Sequence, residues 1–141
     1  MRYKPLALRV LSTAAMLSIV ASCAAPAFAA TYDLYTGDVS VSAESDGKQY
    51  VSQWTDDEHT HYAQNDKGIN HLEDNNVTLT SKGEETKNTI TVSAEKDQEA
   101  KVTLDNVNID TRDGDTPYAE GNAAMVVKGA GDVTLELDGS N

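Results

Sequence analysis

Cysteine is almost absent from this sequence of 141 residues, with Cys23 the only one. Phenylalanine is as scarce, with Phe28 alone. Both fall in the first 29 residues, a stretch that reads as a leader. The remaining chain therefore has no thiol and no disulfide, whatever its redox compartment. Basic residues are also few: 11 Lys and Arg stand against 23 Asp and Glu. A chain so acidic repels nucleic acid and anionic lipid, which excludes both as partners. Beyond the leader no apolar run is long enough to cross a membrane.

The leader has three parts. Arg2, Lys4 and Arg9 form a basic start. Val10 to Ala21 is an apolar run of 12 residues, too short for a membrane-spanning helix. Pro26 follows, and Ala27-Phe28-Ala29 has the small-x-small pattern of a signal peptidase site. Residues 1–29 are expected to be a signal peptide, with cleavage before Ala30 and a secreted product that does not insert in the membrane. The alternative is a lipoprotein box at Ile19-Val20-Ala21-Ser22-Cys23, which would place a lipid on Cys23. Cleavage at Ala30 leaves 8 basic and 23 acidic residues, a net charge of −15 over 112 residues.

Aliphatic residues are sparse in this remainder. Leu, Ile, Val and Phe together make 19 of 112, a level which with high charge marks disorder. Their arrangement argues for order. Val-Thr-Leu occurs at 77–79, 102–104 and 133–135. Ile90-Thr-Val92 and Met125-Val-Val127 precede the second and third copies. In an extended strand residues i and i+2 share a face, so each triplet offers two apolar groups to one side. Recurrence at 25 and 31 residues is the mark of a solenoid, in which each repeat buries its face on its neighbours.

The stretch AKVTLDNVNID, residues 100–110, shows how the repeats connect. Asp105-Asn106 separates two apolar runs, and Asn tolerates the left-handed backbone of a sharp corner. The expected fold is all-β: a parallel β-helix of few coils, with a β-sandwich or meander as the alternative. Val102, Leu104, Val107, Ile109, Val133 and Leu135 are expected inside. One coil runs through Ile90–Val92, Val102–Leu104 and Val107–Ile109. The next runs through Met125–Val127, a tight turn at Gly129–Asp132, and Val133–Leu137. Residues 30–76 are expected to cap the solenoid with strands at Val39–Ala43 and Gln49–Trp54 and a long polar loop. Residues 77–141 form the coils, whose series is expected to continue beyond Asn141.

The segments VTLDNVNI and AAMVVKGAGDVTLELDGSN resemble secreted surface proteins of Gram-positive bacteria that carry carbohydrate-binding β-helix domains. The resemblance spans about residues 88–141. It implies an extracellular bacterial protein that binds glycan or presents an adhesive surface. It brings no catalytic residue.

Candidate sites come from side-chain chemistry. Tyr50, Trp54 and Tyr62 are the densest aromatic cluster after the leader, joined by Tyr32, Tyr35 and Tyr118. Sugar rings stack on aromatic faces while carboxylates and amides bond their hydroxyls. Tyr50, Trp54 and Tyr62 are therefore the expected carbohydrate-binding residues. The competing reading makes Tyr50 and Trp54 a cover over the amino-terminal end of the solenoid. Thr78, Thr91, Thr103 and Thr134 are expected to face outward at matching positions, as Thr suits exposed strands. His59, His61 and His71 have the composition of a zinc site, but they sit in a polar acidic stretch and are read as solvated, with no metal. Asp110, Asp113 and Asp115, with Glu120, are oxygen donors of the kind calcium takes, although Asp-Gly pairs are also ordinary turn chemistry.

Catalysis finds no residue pattern to carry it. Arg112 is the only arginine after the leader and lies in a loop with no partner motif. The expected function is a non-catalytic, cofactor-free module on a secreted or cell-surface protein. Its partners are glycans, such as a host or cell-wall polysaccharide. A structural stalk or adhesin segment without its own glycan site is the alternative.

Overall fold

The computed structural model describes residues 8–11, 16–21, 30–56, 58–63, 68–112 and 123–141. The protein is all-β. Its strands in chain order are β1 (Leu8–Leu11), β2 (Met16–Ala21), β3 (Thr31–Asp33), β4 (Val39–Ala43), β5 (Gln49–Gln53), β6 (Leu72–Glu73), β7 (Val77–Thr80), β8 (Glu85–Thr86), β9 (Ile90–Ala94), β10 (Glu99–Asp105), β11 (Asn108–Ile109), β12 (Met125–Gly129) and β13 (Asp132–Asp138). They form three sheets, none closed: β1-β2-β13-β10-β7-β3, β11-β8 and β12-β9-β4-β5-β6.

Most pairings are parallel and link residues distant in sequence. β10 lies between β7 and β13, with Val102 opposite Val77 on one side and Leu135 on the other. β9 lies between β4 and β12, with Val92 opposite Val41 and Val127. β11 lies beside β8. β3 joins β7, with Tyr32 opposite Leu79. From β7 the chain visits the three sheets in turn through β8 and β9, then does so again through β10, β11 and β12. The antiparallel pairs are β1–β2, β4–β5 and β5–β6. β2 runs parallel to β13, with Val133 opposite Leu17.

The alternation read from sequence sets the core. Val39, Val41 and Ala43 are buried, as are Ile90, Val92 and Ala94 beside them. Val77, Leu79, Ala100, Val102, Val133 and Leu135 supply the facing wall. Like sits on like, and burying each Val or Leu stabilises by about 1.5–3 kcal/mol. Of the six residues expected inside, Val102, Val133 and Leu135 are buried. Leu104, Val107 and Ile109 are only partly buried, packed against the core. Among the described residues β11 has a strand on one side alone, so this corner is covered less.

Two expectations about the Val-Thr-Leu triplets need correction. The first two copies stack in register, but the third is offset: Val133 lies opposite Ala100, and Leu135 opposite Val102. A slip of two residues keeps the inward side inward, since the strand period is two. It breaks the expected threonine row, however. Thr78 and Thr103 are neighbours, whereas Thr134 faces Lys101 and Thr91 lies in another sheet between Ser40 and Val126. Thr103 is buried instead of outward and bare. Asn76, Lys101, Thr134 and Glu136 surround it in a narrow cleft.

The corners follow residue chemistry. Asn106 takes the left-handed conformation expected of it, with φ of 50°. Its carbonyl accepts from Gly83 N at 2.8 Å and from Ser81 Oγ at 3.2 Å, and its side-chain oxygen accepts from Ser140 N at 3.1 Å. At the opposite corner Gly131 N donates to Ala94 O at 3.0 Å. A Cβ on Gly131 would lie 2.1 Å from the Glu95 carbonyl oxygen and 2.5 Å from that of Gln98. Only glycine lets this turn lie so close to the one below.

Candidate functional site

The aromatic residues gather on the β4–β5 hairpin. Asp46-Gly47 makes its turn, with Gly47 at φ of 79° and Lys48 N bonded to Asp46 Oδ1 at 3.0 Å. In β5 the buried residues are Gln49, Val51 and Gln53. Their amides reach across the core: Gln49 Nε2 donates to Asp74 O and Lys101 O, each at 3.0 Å, and Gln53 Nε2 donates to Asp33 O at 2.7 Å. Lys101 N donates in return to Gln49 Oε1 at 2.7 Å. Since Val51 points inward, Tyr50, Ser52 and Trp54 must point outward. Gln49, Val51 and Gln53 thus face the core, and Tyr50 and Trp54 lie on the other side of the strand.

Tyr50 and Trp54 stand four residues apart on one face, about 13 Å along the strand. Tyr62 joins Trp54 across a bridge, the rings 5.6 Å apart and inclined by 30°. Trp54 and Tyr62 are therefore brought together, and Tyr50 forms a second station on the same face. Tyr35, 64 % exposed, lies apart in the turn after β3. Tyr32 is buried and bonds Asp74 Oδ2 at 2.8 Å; burial, then that bond, raises its phenol well above the ordinary range. Tyr118 lies outside the described residues.

Histidines complete both stations. His59 stacks on Trp54 with ring centres 4.1 Å apart and an interplanar angle of 14°. Its Nε2 lies 2.9 Å from Asp38 Oδ2, just before β4. His71 stacks on Tyr50 at 3.9 Å and 8°, with Nε2 2.7 Å from Glu44 Oε1, just after β4. Asp38 is itself fixed, accepting from Thr89 N at 2.6 Å. The Tyr50 hydroxyl donates to Asp46 Oδ2, and this bond pushes the phenol up to about 12. The Trp54 indole Nε1 is buried and has no hydrogen-bond partner among the described residues.

These two histidines are exposed, as expected from sequence, yet each is also placed on an aromatic ring. The surrounding chain is polar, but their rings lie flat on the aromatics. His61 is the exception, its side chain 81 % exposed beside Asp56. No group of three His, Cys, Asp or Glu able to hold a metal occurs among the described residues. Asp113, Asp115 and Glu120 lie outside them. Asp110 is engaged by the guanidinium of Arg112, whose Nε donates to both carboxylate oxygens at 2.8 and 2.9 Å. That bond holds the Asp110 carboxyl down at about 2.

Sequence reasoning picked the aromatics and missed their partners. The parity of β5 was readable, because Val51 alone is apolar in Gln-Tyr-Val-Ser-Gln. The pairing of each histidine with one ring and one carboxylate was not, since it joins residues 21 and 27 positions apart. No family model matches this chain, and no curated protein or solved structure matches it.

Proposed function

We propose that this chain is a non-catalytic, carbohydrate-binding module of a secreted bacterial protein, built as a parallel β-helix. The parallel pairs of β7, β10 and β13, and of β4, β9 and β12, support that architecture. The leader composition supports export. The observation that carries the glycan reading is the outward row of β5, where Tyr50 and Trp54 stand with Tyr62 beside Asp38, Glu44 and Asp46. Aromatic faces suit the C–H side of a sugar ring, and the carboxylates suit its hydroxyls. The net charge, −12 for the whole chain and −15 once residues 1–29 are removed, favours a neutral glycan over an acidic one. Glycans are thus the proposed partners, and no cofactor enters. The absence of a catalytic role is supported by Arg112, which is spent on Asp110.

One observation favours a second reading, a structural stalk or adhesin segment without its own glycan site: His59 and His71 already occupy one face each of Trp54 and Tyr50. A glycan array with the wild-type chain, Trp54→Ala and Tyr62→Ala separates the two. Binding of a neutral glycan that both variants lose supports the module. Silence across the array, or binding that survives both substitutions, overturns this site and leaves the structural reading.

A further inference from the structure

The two histidine stations repeat one construction. His59 and His71 both have left-handed backbones, with φ of 56° and 51°. That conformation is uncommon for any residue but glycine. Each ring lies flat on an aromatic, Tyr50 in β5 or Trp54 just after it, and each Nε2 meets a carboxylate flanking β4. His71 is held further by its backbone N, which donates to Ser52 Oγ at 2.8 Å. Both rings keep solvent contact, with side chains 46 % and 54 % exposed. They are therefore placed on the aromatics yet open to protons.

We propose that His59 and His71 are pH-controlled covers over the aromatic face, closing it in acid and freeing it toward alkaline pH. The consequence for binding rests on the glycan reading above; the covers themselves do not. Imidazole is the side chain that changes charge between about pH 5 and 8. Protonation adds cation–π attraction to the ring beneath and full charge to the pair with the carboxylate. The surroundings keep this sign. Asp38 and the Trp54 indole face His59, and Tyr62 lies across the indole. In the same turn Asp56 is engaged by Thr60 and His61, with Glu58 beside them. Glu44 and Tyr50 face His71; the Tyr50 hydroxyl is tied to Asp46, and Glu73 of β6 pairs with Lys48. Among these described groups the only Lys or Arg is Lys48, already paired with Glu73. A sugar that stacks on Trp54 or Tyr50 must displace a cover, so its affinity falls in acid. The expected ratio between pH 8 and pH 5.5 is about three- to tenfold, given the modest size of exposed cation–π contacts and ion pairs.

Trp54 is the only tryptophan of the chain, so its emission reports on one station. An imidazolium stacked on an indole quenches it. With no sugar present, emission of the full chain should fall as pH drops from 8 to 5. His59→Asn, which tolerates the left-handed backbone, should abolish the fall, and His61→Asn should leave it. Asp38→Asn keeps an oxygen for Thr89, removes the negative partner, and should shrink it. Flat wild-type emission overturns the proposal without any variant. So does a fall that survives in a folded His59→Asn, as judged by far-ultraviolet dichroism. Emission that falls in acid with a silent glycan array overturns the glycan reading and leaves the covers; flat emission with a positive array does the reverse.

Discussion

Replacing Gly131 by alanine tests how closely the turns are stacked. The backbone of Gly131 does not need glycine for its φ, which is not positive. It needs glycine for space. The added Cβ would meet two backbone oxygens, at 2.1 and 2.5 Å, and the Ala94 Cβ at 2.9 Å. Backbone cannot swing aside as a side chain tip can. The turn must therefore lift, straining the bonds from Gly131 N to Ala94 O and from Asp132 N to Gln98 O. Overpacking of this kind costs about 3 kcal/mol. Gly47→Ala is the matched control. Its φ of 79° is left-handed, but a Cβ there meets nothing within 4 Å. It should cost about 1 kcal/mol from conformation alone. At roughly 4–8 °C per kcal/mol for a domain near 100 residues, Gly131→Ala should melt about 12–24 °C below wild type and Gly47→Ala about 4–8 °C below. Thermal unfolding followed by far-ultraviolet dichroism decides it. A Gly131→Ala protein that melts no lower than Gly47→Ala would refute the stacked turn.

Three further outcomes follow from burial and charge. Leu79→Ala removes a fully buried side chain and should cost about 2–5 kcal/mol, whereas the partly buried Leu104→Ala should cost clearly less; urea unfolding of both gives the comparison. The Tyr50 phenol stands at about 12 in the folded chain against an ordinary value near 10, so its bond to Asp46 contributes below about pH 10 and is lost as pH rises toward 12; ultraviolet titration should show late ionisation that Tyr50→Phe diminishes. The Asp110 carboxyl stands at about 2, so its contribution holds above the ordinary range near 3.9 and is lost as pH falls toward 2. Carbon-13 titration of that carboxyl should return to the ordinary range in Arg112→Gln.

Much of the fold was legible because a two-residue period marks the face of a strand without reference to its partners. Val39-Ser-Val41, Ile90-Thr-Val92 and Val102-Thr-Leu104 are strands where the alternation places them. Asn106 marks a corner because few residues accept its backbone. Register was less legible. The third Val-Thr-Leu looks like the first two, yet it pairs two residues out of step, since a slip of two leaves the inward face unchanged. Thr103 is buried in a cleft it shares with residues of β13 and of the chain before β7, which composition alone does not reveal. The site was half legible. Aromatics announce themselves, but which of them face outward depends on Val51, and what covers them depends on histidines that a long insertion brings back. Trp54 is only five residues from His59, but nothing local in His59 or His71 specifies carboxylates 21 and 27 positions away.

The parallel stack underlies both the core and the aromatic face, and nuclear Overhauser contacts between backbone protons test it most directly. Val102 is expected to show cross-strand contacts to both Val77 and Leu135, and Val92 to both Val41 and Val127, in the parallel pattern. Short Hα–Hα contacts of the antiparallel kind, linking β9 to β10 or β12 to β13 as hairpins, would contradict it.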